Sequence, residues 1–395
     1  MNPGQTATPT PSRRILGLDG LRAIAILAVI VWHSQGSLGG PERLGALAPF
    51  VMSGWVGVDL FFALSGFLIT TLLLVEERAH HRLDLRAFYA RRARRILPAF
   101  YAVLLLDYFV FSKLWMCHST LIGRAPAPLL AHLSFFTFWS NYYVHYVAPL
   151  QPGAALTALW SLCVEEHFYL LWPLTLVLLT GRRARLVLVA VTCACLPLLR
   201  YLVRAHELDT PMAVHFVSHY RMDSILWGAA GALAFPELAD HPRARRLVLV
   251  AATAIAASLV AAGQLCIVPP PTPLGAALGY SALAAASMLL VVEAAATQSS
   301  TLVAALEWSP LRQIGEVSYG MYLLHLPMLD FARSLVFSVT DNATIYSALA
   351  RLLVGVALTI GSAGLLQRLV ERPFLRRGTT VTDAAEHCAP RAASP

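Results

Sequence analysis

Apolar stretches long enough to cross a bilayer recur along this chain, and arginine clusters fall in the gaps between them. That pattern constrains the fold more than anything else in the sequence. Runs such as 23–32, 68–75, 170–179 and 247–262 stay nearly uncharged with their flanks included. A backbone in hydrocarbon must satisfy its own N–H and C=O groups, which a helix does internally. Charged residues make up 13% of the chain, against about 25% in an ordinary soluble domain, and the mean hydropathy is +0.62. The expectation is an all-α, polytopic membrane protein, a bundle of about ten transmembrane helices.

The spans run near 15–34, 55–75, 96–115, 159–180, 186–203, 220–235, 247–265, 274–293, 313–337 and 346–368. Charge fixes their direction. Arg13 and Arg14 precede the first span, and Arg78, Arg82, Arg86, Arg91, Arg92, Arg94 and Arg95 lie between the second and third. Arg182, Arg183 and Arg185 follow the fourth, Arg243, Arg245 and Arg246 the sixth, and Arg372, Arg376 and Arg377 the tenth. All these clusters land on one side, so the prediction is a multi-pass protein of the cell (inner) membrane with both termini cytoplasmic. The loop at 294–312 fits weakly, with Arg312 alone. Segment 129–146, apolar and aromatic, would reverse that order if it crossed. It is therefore assigned to an interfacial or re-entrant cap, not a span. Residues 1–12 and 378–395 read as disordered tails around a transmembrane domain at 13–377.

The net charge of +8 sits in short inter-span clusters with no stacking platform, so nucleic acid is not an expected partner. Six scattered cysteines show no metal spacing and no metal is expected. Cys193 and Cys195 read as small core residues, and a disulfide among Cys117, Cys163 and Cys266 is left open. No cleavable leader, tandem repeat or loop long enough for a soluble domain is visible.

Ionisable residues inside such spans are costly and mark function by default. Arg22 and His33 both lie in the first. Eleven residues on a helix advance about 16 Å and turn about 20° past three full turns, so the two share one face. By depth, His33, Asp59, Glu165, Glu166, Arg221 and Asp223 collect towards the outer side, with Tyr322 and His325 approaching from mid-span. Arg22 meets the 91–95 cluster at the cytoplasmic mouth. An imidazole with carboxylates suits general-base activation of a hydroxyl, and arginines suit phosphate oxygens. The plainer readings are that the 91–95 cluster anchors topology, that Arg221 and Asp223 form a simple ion pair, and that Tyr322 only packs.

At these residues the chain resembles the acyltransferase-3 family of integral-membrane O-acyltransferases. The blocks are Leu18-Asp19-Gly20-Leu21-Arg22-Ala23 leading to His33; Gly57-Val58-Asp59-Leu60-Phe61-Phe62 with Leu64-Ser65-Gly66-Phe67; and Phe88-Tyr89 with Arg92-Ala93-Arg94-Arg95-Ile96-Leu97-Pro98. They continue through Trp160-Ser161-Leu162, Glu165-Glu166-His167-Phe168-Tyr169 and Arg221-Met222-Asp223. Ser318-Tyr319-Gly320, Tyr322-Leu323-Leu324-His325-Leu326-Pro327 and Val370-Glu371-Arg372-Pro373 complete the order. His167 replaces the usual Gln of its block. The resemblance implies an acyltransferase that moves an acyl group, commonly acetyl, from cytoplasmic acyl-CoA to a hydroxyl of a carbohydrate or secreted natural product. It implies an Arg-x10-His pair, Arg22 with His33, and an Arg-x-x-Arg motif, Arg92 with Arg95. Too few residues follow the tenth span for the C-terminal esterase-like domain many relatives carry, so a stand-alone form is expected.

The resulting assignment makes His33, Glu165 and Glu166 catalytic, with Arg22, Arg92 and Arg95 binding acyl-CoA. Asp59, Ser65, Arg221, Asp223, Tyr322 and His325 line the substrate pocket. Acyl-CoA is a co-substrate, no cofactor is permanently bound, and the partners are acyl-CoA, the acceptor and the lipid bilayer. Direct transfer is the simpler scheme beside a transient acyl-histidine. The alternative is a proton-coupled transporter, against which the missing internal repeat counts.

Overall fold

The computed structural model describes residues 15–35, 38, 40–111, 129–147, 156–261, 268–297, 300–337 and 345–375. The expected tails, Cys117, Cys266 and the end of the third span lie outside the described residues. Among those described there is no strand, and ten helices have 16 residues or more: α1 Leu18–His33, α2 Gly57–His80, α3 Leu85–Leu106, α4 Trp160–Leu178, α5 Arg182–Ala205, α6 Ser218–Leu233, α7 Pro242–Ala261, α8 Pro273–Ala296, α9 Ser318–Phe337 and α10 Ile345–Leu366. Each meets one expected span. The main shift is in α3, which starts at Leu85 because the Asp84 side chain accepts the Ala87 N–H at 2.9 Å and caps the helix. The 91–95 arginines therefore lie on a helix instead of in a loop.

Five helices, α2, α5, α7, α8 and α10, are long and apolar enough by length and composition to cross a membrane. The other five are short or interrupted by ionisable groups, and they are the ones that carry Arg22 and His33, Arg92 and Arg95, Glu165 and Glu166, Arg221 and Asp223, and His325. Hydrophobicity is given up at most of the helices that carry the candidate chemistry, while Asp59 and Ser65 lie on the apolar α2.

The chain forms two compact units, one from residues 1–29, 49–83 and 164–316, the other from 30–48, 84–163 and 317–395. In the first, α6 packs on α2, α5 and α8, and α8 also on α7. At the α2–α6 crossing a Cβ on Gly66 would stand 2.0 Å from the Ile225 carbonyl oxygen, and one on Gly228 would stand 2.2 Å from that of Ala63. Only glycine lets these backbones touch. Asp59 meets Arg221 two turns earlier on the same pair, so α2 and α6 run parallel. A serial order of crossings makes them parallel when α3, α4 and α5 alone cross between them. A further crossing by 129–147 would make them antiparallel. That segment is in fact broken into Leu129–Phe136, Ser140–Tyr142 and Tyr143–Val147, with Phe138 at φ 57°, and no piece approaches the roughly 20 residues a crossing needs.

The arginine clusters after α4 and α6 also fasten helices. Arg185, 3% exposed, grips both carboxylate oxygens of Glu77 on α2 at 2.6 and 2.7 Å and caps the end of α4 through the Leu176 carbonyl at 2.7 Å. Arg182 bonds Glu237, and Arg245 joins Glu293 on α8 to the carbonyls of Leu238 and Ala239. Cys193 is buried as expected, whereas Cys195 is exposed; the buried Cys163 sulfur lies 3.2 Å from the Ser140 hydroxyl.

In the second unit α9 packs along α10, and α3 contacts the π-helical turn Gln367–Glu371. The Tyr319 hydroxyl donates to the Ile96 carbonyl at 3.0 Å, joining α9 to α3. Pro327 lies inside α9. It cannot donate to the carbonyl of Leu323, which loosens the turn that holds His325.

Candidate functional site

The first unit brings Asp59, Arg221 and Asp223 into one fully buried network, and it pairs them otherwise than the plainer reading of an Arg221–Asp223 ion pair. Arg221 does not neutralise Asp223, two residues away on α6. It reaches α2 instead, where one guanidinium nitrogen bonds both Asp59 oxygens at 2.9 and 3.0 Å. Its guanidinium carbon lies 3.9 Å from the Tyr280 ring centroid on α8. The partner of Asp223 is Arg200 of α5, bound through two nitrogens at 2.7 and 2.8 Å. Ser281 donates to Asp223 at 2.8 Å, and Arg200 also donates to the carbonyls of Ala276, Tyr220 and Ala277. All four ionic side chains of these two pairs are 0% exposed. A buried charge persists only when paired and hydrogen-bonded, and here both pairs are. Arg200 was legible as an arginine within an apolar span, and sequence reasoning passed over it.

A second polar cluster in this unit joins Ser65, Glu165 and Tyr169. Ser65 donates to Glu165 Oε1 at 3.1 Å, and Tyr169 lies 2.8 Å from Glu165 Oε2 and 3.1 Å from Ser65 Oγ. Ser65, Glu165 and Glu166 are half-buried. His167 pairs its Nδ1 with the Ser218 hydroxyl at 2.7 Å and so links α4 to α6. Arg22 bonds Asp19 one turn earlier at 2.7 Å. Ser218 was not named from sequence, and Tyr169 entered only as the end of its block without a role, because a hydroxyl in an apolar span resembles ordinary packing.

The second unit holds His33, His325, Tyr322, Arg92 and Arg95. The imidazoles of His33 and His325 have centroids 4.8 Å apart at an interplanar angle of 61°. His33 is half-buried and His325 is 1% exposed. Tyr322 is pinned at its hydroxyl, which donates to the Ala158 carbonyl at 2.8 Å and lies 2.6 Å from Ser161 Oγ. Its carbonyl oxygen is 2.7 Å from His325 Nδ1. Arg92 and Arg95 stand one turn apart on α3 and so share a face. The Arg92 guanidinium lies 5.8 Å from the Phe88 ring centroid, and the Arg95 charge acts on Glu371.

Chemically, a half-exposed imidazole backed by a second one can take and return a proton. Two arginines on one helix face can grip phosphate oxygens. Among the described residues no group of three His, Cys, Asp or Glu side chains could hold a metal ion.

The chain matches the family model described as an acyltransferase domain over residues 15–368. It is 30% identical over 380 residues to YrhL of Bacillus subtilis strain 168, covering 93% of this chain and 56% of that protein. It is 28% identical over 375 residues to the O-acetyltransferase OatA of Staphylococcus aureus strain NCTC 8325 / PS 47, covering 93% and 58%. It is 28% identical over 376 residues to the peptidoglycan O-acetyltransferase OatA of Listeria monocytogenes, covering 91% and 56%. The chain thus spans a little over half the length of these relatives. No solved structure matches it. With its blocks in family order and residues 15–368 of the chain matched by the model, the chain belongs to the acyltransferase-3 family of integral-membrane proteins.

Proposed function

We propose that this protein is a membrane O-acyltransferase that moves an acetyl group from acyl-CoA on the cytoplasmic side to a hydroxyl of a cell-envelope carbohydrate. The observation that carries the reading is the imidazole of His33. It ends the helix that carries Arg22 in its second turn, is half-buried, and is backed by His325. The relatives named as O-acetyltransferases, with YrhL and the Listeria protein named for peptidoglycan, favour acetyl as the group and a glycan as the acceptor.

In this scheme Arg92 and Arg95 hold the phosphates of CoA, and the pantetheine arm carries the thioester to His33. The acceptor hydroxyl attacks the thioester carbonyl carbon while His33 takes its proton. The C–S bond breaks, and the imidazolium returns that proton to the departing thiolate, giving ester and free CoA with no net proton uptake. A base of this kind contributes about 10²–10⁴ in rate.

The test is purified protein in lipid nanodiscs with labelled acetyl-CoA and soluble peptidoglycan fragments, read as labelled ester and released thiol. Transfer is expected from the native protein and at least about 10² less from His33→Ala. Undiminished transfer by that variant removes His33 as the base, and release of thiol without an ester product removes the acceptor class.

A further inference from the structure

We infer that His325 is a positioning residue for His33, with its Nε2 lone pair serving as the resident acceptor for the second N–H of the His33 imidazole. This rests on the reading of His33 as the base and deepens it.

The argument begins with the tautomer of His325. A carbonyl oxygen only accepts, so the 2.7 Å contact to the Tyr322 carbonyl puts the proton of the neutral ring on Nδ1 and leaves Nε2 as an acceptor. That carbonyl is itself fixed, because Tyr322 is anchored through its hydroxyl to Ala158 and Ser161. Nε2 is buried and has no hydrogen-bond partner among the described residues. A buried acceptor of this kind calls for an explanation, and its neighbour supplies one. The His33 ring lies 4.8 Å away, centroid to centroid, where rotation about its side chain can present a ring N–H to Nε2. His33 is accessible where His325 is not, so one imidazole faces the reactants and the other stands behind it.

When His33 takes the acceptor's proton it carries two N–H groups. One returns the proton to the thiolate, and the other is held by His325 Nε2 throughout. No proton transfers to His325 and no bond to it is made, so the chemistry of the step still balances. Glu165, assigned from sequence as catalytic beside His33, is engaged by Ser65 and Tyr169.

Two substitutions separate this from packing. In His325→Asn the side-chain amide can keep the bond to the Tyr322 carbonyl but leaves nothing at the Nε2 position. His325→Gln extends to place an acceptor oxygen there. His325→Asn should lose roughly 10² or more in kcat with KM for acetyl-CoA little changed, and His325→Gln should recover about tenfold of that loss or more. Native kcat in His325→Asn, or no recovery in His325→Gln, overturns the inference. Nitrogen-15 histidine NMR on the native protein gives an independent readout. It should find His325 as the Nδ1–H tautomer, and an Nε2–H signal overturns the inference even if both variants misfold. His33→Ala keeps the levels distinct: if it transfers normally, the base reading fails, whereas an inactive His33→Ala beside a fully active His325→Asn sinks only the role of His325.

Discussion

Replacing Asp223 with leucine should cost this protein more stability than almost any other single side-chain change in the first unit. The carboxylate takes two bonds from Arg200 and one from Ser281, all between 2.7 and 2.8 Å, and none of its surface is exposed. The Asp223→Leu change would remove the anion and leave the Arg200 guanidinium buried with three backbone carbonyls for company. Breaking a buried pair from one side costs about 3–5 kcal/mol, chiefly through the stranded partner. For a unit of this size that lowers the melting midpoint by on the order of 10 °C. Arg200→Met should cost a similar amount. The double variant Arg200→Met/Asp223→Leu removes both charges together, so its loss should fall short of the summed single losses by about 1–3 kcal/mol. Arg246→Ala is the control: its side chain is 62% exposed, and the change should stay within about 0.5 kcal/mol. The assay is thermal unfolding in detergent, followed by intrinsic fluorescence and by the monodisperse fraction on gel filtration. A loss below about 1 kcal/mol for Asp223→Leu, or a double variant that costs the full sum, would refute the argument that the pair is mutually neutralising.

Three further outcomes follow from other parts of the structure. On the proposal that Arg92 and Arg95 hold the donor's phosphates, Arg92→Lys and Arg95→Lys should each raise KM for acetyl-CoA severalfold with kcat little changed, because an ammonium makes no two-pronged phosphate contact; steady-state kinetics against donor concentration reads this. Gly66→Val should cost about 3 kcal/mol or more, since the obstructing atom at 2.0 Å is a backbone oxygen that cannot move aside, and it should reduce the yield of folded protein. Glu237, hydrogen-bonded to Arg182, is held below the ordinary carboxylate value. Its contribution is therefore complete above that ordinary value and is lost as pH falls through the lowered one, and Glu237→Gln should flatten that acid limb in a stability–pH profile.

The all-α class and the ten helices were legible because hydropathy and arginine placement act over whole segments, where single-residue errors average out. The same large-scale signal led the ambiguous segment 129–146 to be assigned to a cap and not a span, and the parallel run of α2 and α6 is consistent with that assignment. The start of α3 was missed because the Asp84 cap is one side chain against a long basic run. At the site, residue types were readable and partnerships were not. Arg221 and Asp223, two apart in sequence, take partners on different helices, and a helix turns about 100° per residue, so neighbours in sequence face apart. Arg200 escaped notice for a related reason: its role exists only through Tyr220 and Asp223 of α6 and through Ala276, Ala277 and Ser281 of α8, two distant places in the chain.

The Gly66 and Gly228 crossing has a mechanical consequence. Asp59 and Gly66 are seven residues apart, as are Arg221 and Gly228, so the two rods are riveted at two levels, once by charge and once by backbone contact. A slide of even one residue, about 1.5 Å, would pull the carboxylate out of line and drive main chain into main chain. Ser65 rides on that doubled strut beside Gly66, so its hydroxyl keeps a constant bearing through any turnover cycle. Whatever gives way to admit a reactant must hinge elsewhere.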